Sequence, residues 1–210
     1  MDRTSFLATA RSALDLASRP EVAAAWSAES ACAGMSVGGL THHLLQQVVH
    51  TCIVLESPAA RREVVGVHDH YARAEWVGAD LGSPANVGVR ERSDALADDG
   101  PEAVLGRGRA ALDRVAVLLV DPDAPAVVSP SWLSWSLRTD DYLLTRLVEL
   151  TVHSDDLAAS VALPTPLFGD DVVAAVLGVL TAVSLRRHGQ TAVLRALSRP
   201  QRAPGDVSAF

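Results

Sequence analysis

The sequence predicts an all-α protein: a bundle of four long helices with additional short helices at its C-terminal end. Three observations carry this. Apolar residues recur at helical spacing through several long stretches. Prolines, glycines and capping residues punctuate those stretches where helices start and stop. Only the segment 127–137, with Trp132 and Trp135, suits extended chain, so a sheet cannot organise the fold. With 210 residues, 49% of them hydrophobic, the chain can enclose a substantial core. It reads as one bundle domain over 1–198 followed by a C-terminal tail, 199–210.

The elements follow in order. Thr4 to Ser18 is an amphipathic helix with Phe6, Leu7, Ala10, Leu14 and Ala17 on its apolar side, stopped by Pro20. Glu21 to Trp26 adds a helical turn, and Ser30 to Gly34 is a loop. Ser36 caps a helix to about Glu56, ahead of Pro58, with Val37, Leu40, Leu44, Val48 and Leu55 as its core face. Arg61 to Asp80 is helical in part, and His68, His70 and Tyr71 there are rival ligand candidates. Gly82 to Gly88 reads as a turn region. Pro101 opens a helix over Glu102 to Val120. Asp121 to Pro130 is a connection, and the two tryptophans after it read as core or rim packing. Tyr142 to Ala162 is a long helix that Thr139 or Asp140 can cap and Pro164 ends. Asp170 and Asp171 before the next helix, and Arg186, Arg187 and His188 at its end, suit the helix dipole. Gly189 closes it, and Thr191 to Leu197 is a short final helix.

Composition narrows the function classes. The formal charge is -7 and the pI about 5.4, which speaks against a nucleic-acid or anionic-membrane surface. No basic segment with a following long apolar run opens the sequence, and the apolar stretch Val172 to Val183 is shorter than the roughly 20 residues a bilayer needs. Cys32 and Cys52 form no Cys-x-x-Cys pair, so a reducing cytoplasm is the expected location and both thiols read as small buried hydrophobes. No lysine occurs, which with the Ala and Val excess points to a GC-rich coding sequence.

The helix from Tyr142 carries the chemistry. At about 100° per residue, Tyr142, Arg146, Glu149, His153, Asp156 and Ser160 form one polar stripe. Leu143, Leu147, Leu150 and Leu157 flank it on one side, Val148, Val152 and Ala159 on the other. The far face, Thr151, Ser154, Asp155 and Ala158, suits water. The charged stripe therefore lies inside the apolar sector, whereas a surface helix separates the two. Glu149 and His153, four residues apart, converge on one point. Carboxylate and imidazole are good ligands for a divalent metal, and Asp156 could accept the other imidazole N–H. The competing reading is a buried Arg146–Glu149–His153 hydrogen-bond network without metal. A third ligand must come from elsewhere. On the Ser36–Glu56 helix, His43, Gln47 and His50 share a stripe beside the core face, and periodicity leaves open whether it faces water or a second polar stripe.

Two motifs then carry a resemblance. Met35-Ser-Val-Gly-Gly-Leu-Thr-His-His-Leu44 and Arg146-Leu-Val-Glu149-Leu-Thr-Val-His153-Ser-Asp-Asp156-Leu157 resemble the two metal-ligand motifs of the mycothiol-dependent maleylpyruvate isomerase family, a branch of the DinB-like four-helix bundles. Tyr71-Ala-Arg-Ala-Glu-Trp76 and the stretch from Arg186-Arg-His-Gly-Gln to Arg195-Ala-Leu-Ser extend the likeness over most of the chain. The resemblance implies that His43, Glu149 and His153 hold a divalent metal, zinc or a similar ion. It implies a low-molecular-weight thiol, mycothiol, as co-substrate in an actinobacterial cytoplasm, with a small electrophile as the other partner and a monomer or homodimer as the assembly. The activity implied is that of a transferase or isomerase working through a metal-bound thiolate. A free thiol of pKa about 8.5 is about 3% ionised at neutral pH, and lowering that pKa by about two units takes about 2.7 kcal/mol. Around the metal, Arg146 either holds Glu149 or binds a substrate carboxylate, Asp156 supports His153, and Tyr142 donates a hydrogen bond. The alternative within the same resemblance is a non-catalytic metal-binding bundle that binds or senses a small molecule.

Overall fold

A computed structural model describes residues 3–80 and 82–210. Four helices pack into the bundle: α1 (Arg3–Ala17), α3 (Val37–Glu56), α6 (Pro101–Val120) and α7 (Thr139–Ser160). Between them lie α2 (Pro20–Ala24), α4 (Val67–Arg73) and α5 (Pro84–Ala97). After α7 come α8 (Asp170–His188), α9 (Gln190–Ser198) and a 3₁₀ turn, Pro200–Arg202. The all-α fold class with additional C-terminal helices is thus the one observed, but α8, at 19 residues, is as long as the bundle helices rather than short. Three very short strands, β1 (Val64–Val65), β2 (Val127–Val128) and β3 (Ser136–Arg138), form a sheet in the order β1-β3-β2. β1 runs parallel to β3 with Val64 opposite Ser136, and β2 antiparallel with Val128 opposite Leu137.

The core is built from the apolar faces the sequence marks. Phe6 of α1, Leu40 and Leu44 of α3, Val115 of α6 and Leu147, Leu150 and Leu157 of α7 are fully buried. Each such side chain stabilises the fold by about 1.5–3 kcal/mol relative to exposure. α3 is the central element, touching α1, α5, α6 and α7. Its start is held closely. The Ser36 hydroxyl accepts the Gly39 N–H at 2.9 Å and donates to the Asp94 carboxylate of α5 at 2.6 Å. Gly38 lies against the Trp26 indole, where a Cβ would come within 2.6 Å of ring carbon. Only glycine allows that approach.

Several expectations are corrected. Gly82 to Gly88 is a turn only at its beginning: Ser83 caps α5, which starts at Pro84. A proline at the first helical turn is compatible with a helix, and the stretch has too weak an apolar period to announce one. Neither Thr139 nor Asp140 caps α7. Arg138 occupies the N-cap position without a side-chain bond, and the Thr139 hydroxyl donates instead to the Pro125 carbonyl. The face of α7 assigned to water is also partly buried. Ser154 and Ala158 have no exposed surface, because α7 packs against α1 and α8 as well as α3. Asp155 does reach water, where it accepts a hydrogen bond from Thr165.

The C-terminal tail is anchored. Ser184 of α8 donates to the Val207 carbonyl at 2.6 Å, and the Phe210 ring sits 5.0 Å from that of Trp76. Among the described residues no helix is long and apolar enough to cross a membrane.

Candidate metal centre

Two helices distant in sequence bring the site together. α3 contributes His43 and α7 contributes Glu149 and His153. The Nε2 atoms of the two histidines lie 3.5 and 3.3 Å from the same oxygen, Oε2 of Glu149. The imidazole rings meet edge to face, with centroids 4.8 Å apart. All three side chains are largely shielded, between 16% and 20% exposed. The undecided stripe of α3 therefore faces the polar stripe of α7, which is how both can lie inside apolar sectors.

The donor set fits a small divalent cation. Metal–ligand distances of about 2.0–2.2 Å in tetrahedral geometry separate ligand atoms by about 3.3–3.5 Å, the spacing found around Glu149 Oε2. All three donor atoms lie within 4.8 Å of one another. Of the rival candidates, His68 and His70 join no such group among the described residues, and Tyr71 is buried against the Trp76 and Phe210 rings. His70 is instead buried, accepting the Trp135 indole N–H at Nδ1, 3.2 Å away.

Asp156 sits where the sequence suggests. Its Oδ2 is 2.9 Å from His153 Nδ1. An N–H at Nδ1 donates to the carboxylate, and without a cation Nε2–H faces Glu149; in the neutral ring that a cation would bind, the same tautomer leaves the Nε2 lone pair free. Electrostatics follow from this chain of contacts. Burial alone would lower the pKa of His153, but hydrogen bonds to Asp156, Cys32 and Glu149 outweigh it and hold the pKa well above the usual histidine range. Burial would raise that of Glu149, yet the bonds from His153 and His43 and the Arg146 charge hold it well below the usual carboxylate range. His43 is lowered, by burial first, with the Glu149 bond opposing.

Arg146 does not grip Glu149. It donates through its guanidinium to Oε1 of Gln47 and to the Thr145 hydroxyl, and it lies over the Tyr142 ring, 5.3 Å from the centroid. Gln47 in turn donates to the His43 carbonyl at 2.8 Å. Arg146 and Gln47 thus tie α7 to α3 beside the site, and Arg146 acts on Glu149 only through its charge. Tyr142 is 1% exposed and makes no hydrogen bond to His43, Glu149 or His153. Its part is to carry the guanidinium on its ring, in place of the expected hydrogen bond.

Cys32 is the main residue missed. It is half-buried, and its Sγ lies 3.3 Å from Asp156 Oδ2 and 3.9 Å from His153 Nδ1. The loop bearing it is strapped to α7 by Ala31 N–H donating to the Ser160 hydroxyl at 2.8 Å. The expectation of a buried apolar spacer is corrected: the thiol donates to the carboxylate that orients His153. Nothing local in Ser30 to Gly34 signals this. Cys52, by contrast, lies on α3 near Glu56, with burial first and the Glu56 charge second raising its pKa.

Fold and site together define a helical bundle with a His/Glu/His donor set of the metal-binding type. The family model described as the mycothiol maleylpyruvate isomerase N-terminal domain matches residues 6–158. The chain belongs to that family. The match spans both motifs and all four bundle helices except the ends of α1 and α7. No curated protein and no solved structure matches the chain.

Proposed function

We propose that the protein binds a divalent metal, zinc, through His43, Glu149 and His153, and serves as a low-molecular-weight-thiol-dependent transferase or isomerase acting on a small electrophile. The observation that carries the reading is the convergence of two imidazole Nε2 atoms on one Glu149 oxygen at ligand-like spacing. Family membership supports mycothiol as the thiol.

Three protein ligands leave a coordination position open, as catalytic zinc sites do. The ion, when bound, would supply a positive charge that favours thiolate over thiol. The chain's own groups do the rest. Asp156 keeps the proton of His153 on Nδ1 and the Nε2 lone pair free. Gln47 and Arg146 hold α3 and α7 at the separation the ligands need. Among the described residues Arg146 donates to Gln47 and Thr145 rather than to a carboxylate, so its charge near Glu149 is available to an anionic group. Tyr142 supports that guanidinium from below.

Metal analysis of the purified protein, with His43→Ala and Glu149→Ala alongside, tests the centre. Stoichiometric metal in the parent and its loss from both variants is the expected result. Metal retained by either variant, or none in the parent after zinc loading, would overturn the assignment. Conjugation assays pairing mycothiol with a reactive electrophile test turnover.

A further inference from the structure

We propose that Trp132 and His50 form a stacking platform for an uncharged sugar ring of the thiol co-substrate, making Trp132 a specificity-determining residue for a glycosylated thiol over a bare one. The proposal rests on the thiol reading above, and its test separates the two.

Trp132 is 45% exposed, an unusual setting for an indole. It is not loose. Its ring lies on the His50 imidazole, with centroids 4.4 Å apart and planes 34° from parallel. The turn that carries it is pinned from the neighbouring strand connection. The Arg62 guanidinium donates to the carbonyls of Pro130, at 2.9 Å, and of Leu133. Leu133 N–H closes the turn on Pro130 at 3.1 Å. One indole face is therefore held in place by protein on its far side, which is preorganisation for a flat ligand.

Position links this platform to the metal centre. His50 follows His43 by seven residues on α3, two turns later on the same side and about 10 Å along the axis. It feels the charges of Arg146 and Glu149. In a thiol whose cysteine is amide-linked to a sugar, five bonds separate sulfur from the first ring, about 6–7 Å when extended. A sulfur beside His43 thus brings its sugar rings to the level of His50 and Trp132.

Charge selects the class of ligand. Burial, then the charges of Arg146 and His43, lowers the pKa of His50 to about 4, so the platform is neutral at physiological pH. Arg73, over the Trp135 ring at 5.8 Å, is paired with Glu63 through two hydrogen bonds of 2.7 and 2.8 Å. Arg62 is spent on carbonyls. A neutral aromatic face suits the C–H face of a polyhydroxylated ring, whose hydrogens meet the negative π-face while its hydroxyls stay in water. It does not suit a phosphate.

The test is calorimetric titration of the zinc-loaded protein with mycothiol and with N-acetylcysteine, which lacks the sugars. Mycothiol should bind more tightly. Trp132→Ala should weaken mycothiol by about tenfold and leave N-acetylcysteine unchanged, while Trp132→Phe retains most of the preference. If both thiols bind the parent equally, or if Trp132→Ala weakens both alike, the platform is refuted and the thiol reading survives. If neither thiol binds, both fall. Thermal unfolding of each variant reports whether the fold is intact, and Trp132→Phe keeps the comparison available should Trp132→Ala unfold.

Discussion

Asp156→Ala is the perturbation whose consequence can be worked furthest from the geometry. The carboxylate accepts from His153 Nδ1 at 2.9 Å with its side chain 28% exposed. Hydrogen bonds to charged groups contribute about 1.5–3 kcal/mol, and partial exposure places this one near the lower bound. Removing it frees the imidazole to rotate and to place its proton on Nε2, where the cation is proposed to bind. A loss of about 1.5 kcal/mol corresponds to about a tenfold weaker metal site, within the range of about 10–100-fold found when such supporting groups are removed. Asp156→Asn keeps an oxygen acceptor without its charge and should lose only about threefold on the same grounds. The assay is competition for zinc against a chromophoric chelator, with helix content followed by circular dichroism. An Asp156→Ala protein that is folded and binds zinc within twofold of the parent would refute the claim that this carboxylate orients His153.

Other outcomes follow from the same contacts. Cys32→Val, which removes a weak S–H donor to Asp156, should reduce zinc affinity by less than Asp156→Ala, about two- to threefold, while Cys32→Ser stays near the parent; the same chelator competition decides it, and a Val variant equal to the parent counts against the contact. His70 is neutral and accepts from Trp135, with its pKa lowered to about 4 by burial, then by the Arg146 charge. Its unfolded value is about 6.5, so the unfolded chain binds the extra proton first: the contribution, about 3 kcal/mol, is fully present above pH about 6.5 and is lost as pH falls toward 4. Urea unfolding between pH 7 and 4.5 should therefore show a shallower pH slope in His70→Gln than in the parent, and parallel slopes would contradict it. Leu147, fully buried in α7, should cost about 3–4 kcal/mol when replaced by alanine, read as a shift of the urea midpoint.

Much of this molecule was legible along the chain. Ser36 as a cap, Pro101 as a helix start and Gly189 as a helix end are local chemistry, and each marks a boundary in the structure. Glu149, His153 and Asp156 belong to one helix, so their mutual reach follows from 3.6 residues per turn. The start of α5 at Pro84 escaped notice because its apolar period is weak and its partner surface, the beginning of α3 and Asp94, lies far away in sequence. The exposed role of Ser154 and Ala158 failed for a related reason: a helix shows which faces are apolar, yet small and hydroxylated residues can face either water or a close neighbour.

By itself the sequence determined the helices, their ends and the separate stripes on α3 and α7, because backbone hydrogen bonding and side-chain period are properties of adjacent residues. Only the tertiary structure decided that the His43 stripe turns toward Glu149 and that the Cys32 thiol reaches Asp156. It alone decided that Arg146 is held by Gln47 and that Trp132 lies on His50. Those pairings join residues far apart along the chain. The rotation of each helix about its own axis is set by how the whole bundle fills its core, which no single segment encodes.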